Sequence, residues 1–503
     1  MYNKNEAAAS DNFKENSMRI LMAASEAFPF FKTGGLGDVT GALSRVFARD
    51  PDNEVVLFLP RYRDISCPAG LMPQPAPGKF FTPMGGGMEE TTLEYSKWEN
   101  VNVFFINSKR FFDRPGMYRS PSGDYWDNDE RFAFFSRAVL EAARFLDFKP
   151  EVIHCHDWQT GLLPAYLYTF YGSDPFFNKT ATVFTIHNLA YQGMFSKDSL
   201  HKIGFSWNEF TAEKLEFYGG LNYMKAALVY SDIITTVSPT YSEEIQYRGD
   251  LGHGLDGILR NRSADLSGIL NGIDQTIWNP ATDTKIFRNY DITSFEEGKK
   301  ANKLELQKQL GLEVNPDKIL AGIVSRMDSQ KGLDIVLHIA YEFMNKIQFV
   351  ALGSGDPGLC EGFRHLVQNH HGCAAFSSDF DEPLAHKIYA ASDLFLMPSR
   401  FEPCGLSQMI AMRYGALPVV TRTGGLKDTV FHNGIAEECN GYAIDDADDG
   451  QLRWMLQQAV KAFDAKKDFQ TMIRNAMKGD YSWNHSAEEY LNLYRTAIEK
   501  HYN

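Results

Sequence analysis

From Met18 onward, short runs of apolar and β-branched residues alternate with longer stretches in which apolar residues recur at helical spacing. Met18–Ser25 reads as a buried strand, followed by a glycine-rich turn and a helix opening near Asp38. Val55–Leu59, Val101–Ile106, Val152–Cys155 and Thr182–Ile186 read as further strands, and Arg131–Leu146 has the spacing of an amphipathic helix. A second series follows the stretch Asn271–Thr284. Its strands are Ile319–Val324, Ile347–Leu352, Leu394–Met397 and Ala416–Val420, separated by helical patterns such as Lys331–Asn345 and Leu406–Tyr414. Strands alternating with helices imply parallel, doubly wound sheets. The pattern therefore predicts an α/β protein with a first domain over residues 18–270, a linker over 271–284 and a second domain over 285–485. A C-terminal helix over 486–503, centred on Tyr490–His501, fits against either domain.

Composition narrows this picture. At about 150 residues per domain, 503 residues make two large domains or three ordinary ones. Apolar residues at 44%, with 37 Phe, 23 Tyr and 7 Trp, suffice for more than one core and exclude a mainly disordered chain. Residues 1–17 are polar, mix acids with lysines and lack Arg and an apolar segment, so they read as a disordered extension, not a secretory or transit signal. No apolar run reaches 18 residues, so no membrane partner is expected. The net charge of −14, without a long basic stretch, argues against nucleic acid and confines any anion site to a few placed cations. Six scattered cysteines with no C-x-x-C pair argue against a disulfide framework and a structural zinc site, and for a reducing compartment.

Candidate chemistry falls at strand ends. Lys32-Thr33-Gly34-Gly35-Leu36-Gly37-Asp38 joins a strand to a helix, where glycines admit a ligand to the backbone and helix amides attract anions. A plain tight turn explains it equally well. Arg326 and Lys331, in Ser325–Gly332, are two cations able to converge on one diphosphate, or two solvated surface charges. In Pro398–Leu406, Glu402 is placed to meet sugar hydroxyls or developing positive charge; the bland alternative is a helix-start acid. Cys404 reads as a small packed residue more readily than as a nucleophile. The strand ends His154–Thr160 and Thr185–Gly193 are rich in Asp, His, Asn, Trp and Tyr, which suits a sugar-binding edge; the paired His154 and His156 lack a third metal ligand. Asp446-Ala447-Asp448 spells D-x-D inside the solvated run Asp445–Gly450, so no metal site is expected there. Arg422–Thr429 echoes Lys32–Val39, a likeness of loop chemistry and not a repeat.

Together the segments KTGGLGDV, HCHDWQTGLLPAYL, TIHNLAYQGMF, ILNGID, SRMDSQKGLD and PSRFEPCGL resemble the bacterial glycogen synthase and plant starch synthase family, in order and over nearly the whole chain. The resemblance implies a GT-B fold, two Rossmann-like domains facing a deep cleft. It also implies a retaining hexosyltransferase that moves glucose from ADP-glucose to the non-reducing end of an α-1,4-glucan such as glycogen, starch or a maltooligosaccharide, with no cofactor, in the cytoplasm or, in a plant-like source, the plastid stroma. By the same resemblance Lys32 contacts the donor, Arg326 and Lys331 hold its diphosphate, Glu402 is the essential acid beside the glucose and His187 lies near its 6-hydroxyl. Asp157 and Asn271 line the sugar pocket, Phe380 lies against adenine, and the loop Thr423–Leu426, Thr423 and Gly424 above all, donates amides to phosphate. Gly34, Gly35, Asp38, Tyr118, Asn188, Cys404, Gly405 and Leu406 complete the substrate-binding set. Two positions depart from the pattern: Ile410 stands where many retaining relatives carry a ribose-gripping acid, and Arg119 replaces an expected glycine. A glucan phosphorylase would be longer and carry a cofactor lysine site. A catalytically silent glucan-binding protein would not need Arg326, Lys331 and Glu402 together.

Overall fold

The computed structural model describes residues 18–379 and 381–502, so the expectations for residues 1–17 and for Phe380 lie outside the described residues. The chain forms two compact units. One comprises the chain up to Thr235, Arg248–Leu266 and the chain from Ala487; the other comprises Thr236–Tyr247 and Ser267–Ser486.

The sheet of the first unit runs in the order Leu266–Gly268, Ile233–Thr236, Ala181–Ile186, Val152–His156, Arg19–Ala23, Glu54–Pro60, Val101–Asn107, Gly87–Trp98 and Gln74–Pro75, with Phe80–Met84 beside Gly87–Trp98. Pairing is parallel from Ala181–Ile186 to Val101–Asn107 and antiparallel beyond it. The expected all-parallel sheet is therefore corrected to a mixed one. The cause is local: Trp98 pairs with Val101, leaving Glu99-Asn100, with Glu99 at φ 53°, as a two-residue hairpin turn that folds the strand back beside Val101–Asn107, and Met84 pairs with Gly87 across Gly85-Gly86 in the same way. The parallel strands are buried almost throughout, as a sheet covered on both faces requires. The C-terminal helix Trp483–Tyr502 brings Tyr490 and Tyr494, both fully buried, to Phe47 and His154 of this unit.

The second unit has a six-stranded, all-parallel sheet in the order Ala374–Ser377, Ile347–Leu352, Ile319–Val324, Leu394–Met397, Leu417–Thr421 and Tyr442–Ile444. In chain order this is 3-2-1-4-5-6, the doubly wound pattern. The parallel part of the first sheet, extended by Ile233–Thr236, repeats it. The helix expected over Lys331–Asn345 is broken into a 3₁₀ turn at Ser329–Lys331, a helix at Leu333–Ile339 and a second 3₁₀ turn at Ala340–Phe343. Gly332, at φ 64°, causes the first break; a Cβ there would collide with the carbonyl oxygen of Pro398. The domain edges also move. Thr236–Tyr247 belongs to the second unit, where Thr240 bonds Asp428 and Ser238 donates to the Pro403 carbonyl.

Candidate active site

In the parallel part of each sheet the strand order reverses once, between Arg19–Ala23 and Val152–His156 in the first unit and between Ile319–Val324 and Leu394–Met397 in the second. Segments leaving the carboxyl ends on either side of such a point splay apart and leave room for a ligand. The four segments that leave these ends carry Lys32, Asp157, Arg326 with Lys331, and Glu402.

In the first unit the loop after Arg19–Ala23 is organised by Glu26. Its buried carboxylate accepts from Thr33 N (2.5 Å), Thr33 Oγ1 (2.7 Å) and Tyr118 OH (2.5 Å). Burial raises the pKa of Glu26 against the opposing pull of these donors. The hydroxyl of Tyr118 is thus tied to Glu26 and, at 2.8 Å, to Ser25. Lys32 Nζ donates to Asp38 Oδ1 (2.9 Å) and lies 5.0 Å from the Phe28 ring centre. The helix starts at Gly35, earlier than the expected Asp38, and Gly34 caps it in an extended conformation with no atom within 4 Å of a would-be Cβ.

Asp157, just past Val152–His156, is buried and sits at φ 57°, ψ 178°, a conformation costly for any residue but glycine. Its Oδ1 accepts from His187 N at 2.8 Å, and burial pushes its pKa up to about 7. Asn188 turns its side-chain oxygen to Ala190 N (3.0 Å). The Trp158 ring packs edge-on against Phe132 at 5.0 Å and leaves no room for a Cβ at Gly193.

In the second unit Lys331 Nζ lies 2.5 Å from Glu402 Oε2, an ion pair shielded on both sides, and Ser399 Oγ donates to the same oxygen at 3.1 Å. Pairing across 71 positions is secured by the backbone: Arg400 N donates to Gln330 O (2.8 Å) and Gln330 Nε2 to Phe401 O (3.0 Å). Arg400 also forks onto Asp334 at 2.7 and 2.8 Å. Arg326 is half-exposed, 3.4 Å from Asp328, on the wall of a cavity of about 500 Å³ shared with Ser354, Gly355, Leu359 and Arg400. Lys331 and Glu402 are not among its walls. Cys404 is buried and its thiol is pushed up to about 12, so it is a packed thiol and no nucleophile; Asn271, also buried, bonds it. The amides of Gly405 and Leu406 make no hydrogen bond within the described residues, at the start of the helix Ser407–Arg413.

The loop Thr423–Leu426 departs from expectation. Thr423 Oγ1 and Gly424 N donate to Glu244, Gly425 N to the carbonyls of Glu402 and Pro403, Thr423 N to Thr421 O and Leu426 N to Thr423 O. Its amides are spent inside the unit, so a phosphate there would have to displace Glu244. Asp448, the second acid of the D-x-D spelling, caps the helix Asp449–Ala465 through Gly450 N and Gln451 N. Among the described residues no group of three His, Cys, Asp or Glu is placed to hold a metal ion. Arg119 is exposed, 3.9 Å from Asp124.

Residues 19–261 match the starch synthase catalytic domain and residues 318–461 the glycosyl transferases group 1 domain. A glycogen synthase of Elusimicrobium minutum (strain Pei191) is 49% identical over 484 residues, covering 96% of this chain and 100% of that protein. The chain belongs to the glycogen synthase family. A second family member, from Geotalea uraniireducens (strain Rf4), is 43% identical over 96% of this chain and 99% of its own length. The catalytic domain of starch synthase IV from Arabidopsis thaliana, solved bound to ADP and acarbose, superposes with a TM-score of 0.89 at 33% identity, over 96% of this chain and 100% of that one. A sucrose-phosphate synthase of Thermosynechococcus elongatus, at TM-score 0.59 and 17% identity over 96% of this chain and 99% of that one, shares the fold. The protein is accordingly a two-domain GT-B hexosyltransferase, and among its described residues no helix is long and apolar enough to cross a membrane.

Within this family frame, sequence reasoning missed Glu26, Ser354, Gly355, Asp334 and Arg400. Glu26 carried a signal, an acid directly after a buried strand; Arg400 carried none, because its partner Asp334 is 66 positions away.

Proposed function

We propose that the chain transfers glucose from ADP-glucose to the non-reducing end of an α-1,4-glucan with retention of configuration, in the cytoplasm. The observation that carries this reading is the shielded Lys331–Glu402 pair beside the open amides of Gly405 and Leu406. Breaking the bond between the sugar C1 and the phosphate oxygen puts negative charge on the diphosphate and positive character on C1. Arg326, Lys331 and the two amides supply donors to the first charge; loss of one such donor costs about 3–4 kcal/mol. An ammonium has three protons, so Lys331 can hold Glu402 and still donate to phosphate. Glu402, fixed by that pair and by Ser399, orients the glucose. Attack comes on the face the diphosphate leaves. The acceptor oxygen bonds C1 as its proton passes to the departing phosphate oxygen. His187 serves the glucose 6-hydroxyl, Asp157 and Asn188 the other hydroxyls, and Lys32 the donor, once released from Asp38. Incorporation of labelled glucose into glycogen, with ADP-glucose and UDP-glucose side by side, tests the reading. ADP-glucose is expected to be the better donor; equal or better use of UDP-glucose would overturn the donor assignment.

A further inference from the structure

His156, the last residue of the strand Val152–His156, has no part in the scheme above, yet its ring is fully buried beside His187. His156 Nδ1 lies 3.0 Å from His187 Nε2, and His156 Nε2 is buried with no partner among the described residues. His154 packs against His156 with ring centres 4.0 Å apart and the planes tilted by 40°. His154 is itself tied at both nitrogens, to Tyr494 OH (2.7 Å) and Thr185 Oγ1 (2.6 Å), so a fixed ring packs against His156 and restrains it.

The 3.0 Å contact needs one proton between two neutral imidazoles. Burial keeps both rings neutral, His187 titrating only at about 3. If His187 donated, the proton of His156 would sit on its Nε2 as a buried N–H without an acceptor. If His156 donates, only a lone pair is left without a partner. An orphaned N–H is the rarer and costlier fault. The second assignment therefore prevails, and the proton of His187 must then reside on Nδ1. That nitrogen makes no hydrogen bond within the described residues, and the side chain is half-buried.

We propose that His156 is a positioning residue that locks His187 in its Nδ1–H tautomer, so that His187 offers a hydrogen-bond donor to the transferred sugar. The second half rests on the reading of His187 as the partner of the 6-hydroxyl; the tautomer itself does not.

The test uses the full chain labelled with ¹⁵N-histidine. Long-range ¹H–¹⁵N correlation, with His187 assigned from its loss in His187→Gln, is expected to show a protonated Nδ1 and a bare Nε2. A proton on Nε2 overturns the proposal, whatever the variants do. In kinetics, His156→Leu is expected to lower kcat/KM by about 10-fold or more and to erase the preference for a glucosyl over a 6-deoxyglucosyl donor. His156→Asn, whose side-chain N–H replaces the Nδ1–H, is expected to rescue both. A folded His156→Leu enzyme that keeps the preference overturns the proposal, as does failure of rescue in a folded His156→Asn enzyme. An unaltered enzyme that shows no preference between the two donors overturns the 6-hydroxyl reading alone, and the tautomer is still decided by the spectrum.

Discussion

Two loops of this protein share the spelling Thr-Gly-Gly-Leu, and each ties its threonine to a glutamate: Thr33 to Glu26 in one unit, Thr423 to Glu244 in the other. Their glycines nevertheless do opposite things. Gly34 is extended and faces open space, so its missing side chain is useful only to something that approaches from outside. Gly424 sits at φ 43°, where a Cβ would strike the carbonyl oxygen of Glu402, and a Cβ at Gly425 would strike Cys404. The second loop is a wedge that lets the Glu402 segment lie close; the first leaves a vacancy. Identical local chemistry leaves an open face in one place and makes a packing device in the other, because different segments of the chain lie above it.

The acids at the two reversal points differ as well. Asp157 is held by two backbone amides and, among the described residues, by no cation, and burial pushes its pKa up to about 7, whereas Glu402 is ion-paired with Lys331. One edge can meet neutral sugar hydroxyls; the other is built around charge.

The contrast between the glycines is broken most severely by alanine. Gly424→Ala should destabilise by about 3–5 kcal/mol, combining a left-handed backbone penalty with overpacking, and should nearly abolish turnover as the Glu402 segment shifts. Gly34→Ala should leave the melting temperature within a few degrees and act on donor KM. Similar losses of stability in both variants, by thermal unfolding, would show that the two loops are alike after all.

Asp157→Asn sharpens the contrast between the acids. With a folded pKa of about 7 against an ordinary 3.8, the folded chain keeps a proton that the unfolded chain gives up, so this carboxyl costs stability as pH rises through that window. The stability of the variant relative to the parent should improve by about 3 kcal/mol between pH 5 and pH 8. Denaturant titrations at the two values check it, and a flat difference would mean that Asp157 ionises normally.

On the charged edge, Glu402→Ala and Lys331→Ala should each lower kcat by about 100-fold or more while circular dichroism stays native, since both act on transition-state charge. Near-normal turnover in either folded variant removes its assigned role. Cys404→Ser should cost only a few-fold, by perturbed packing. The smallest effect expected is none: with Arg326, Lys331 and free amides available to the diphosphate, turnover should survive exhaustive chelation at constant free donor. Loss of activity restored by magnesium or manganese would reassign that charge to a metal.

The sequence by itself determined the two α/β units, since apolar runs such as Ile319–Val324 and Ile347–Leu352 are strands to the residue and their periodicity needs no knowledge of neighbours. It also showed that cations, acids and glycines stand directly after those runs, at the strand ends. It could not settle what each such residue touches. That Lys331 grips Glu402, that Arg400 grips Asp334, that the Thr423 loop spends its amides on Glu244 and the Glu402 segment, and that His156 meets His187 are contacts across 22 to 180 positions. Nor could it show the Glu99-Asn100 and Gly85-Gly86 hairpins turning the sheet edge antiparallel, or the placing of Thr236–Tyr247 in the second unit. Hydrophobic periodicity is a property of neighbours along the chain and survives in the sequence. Hydrogen-bond partnership and steric closeness belong to neighbours in space, and only the packed structure assigns them.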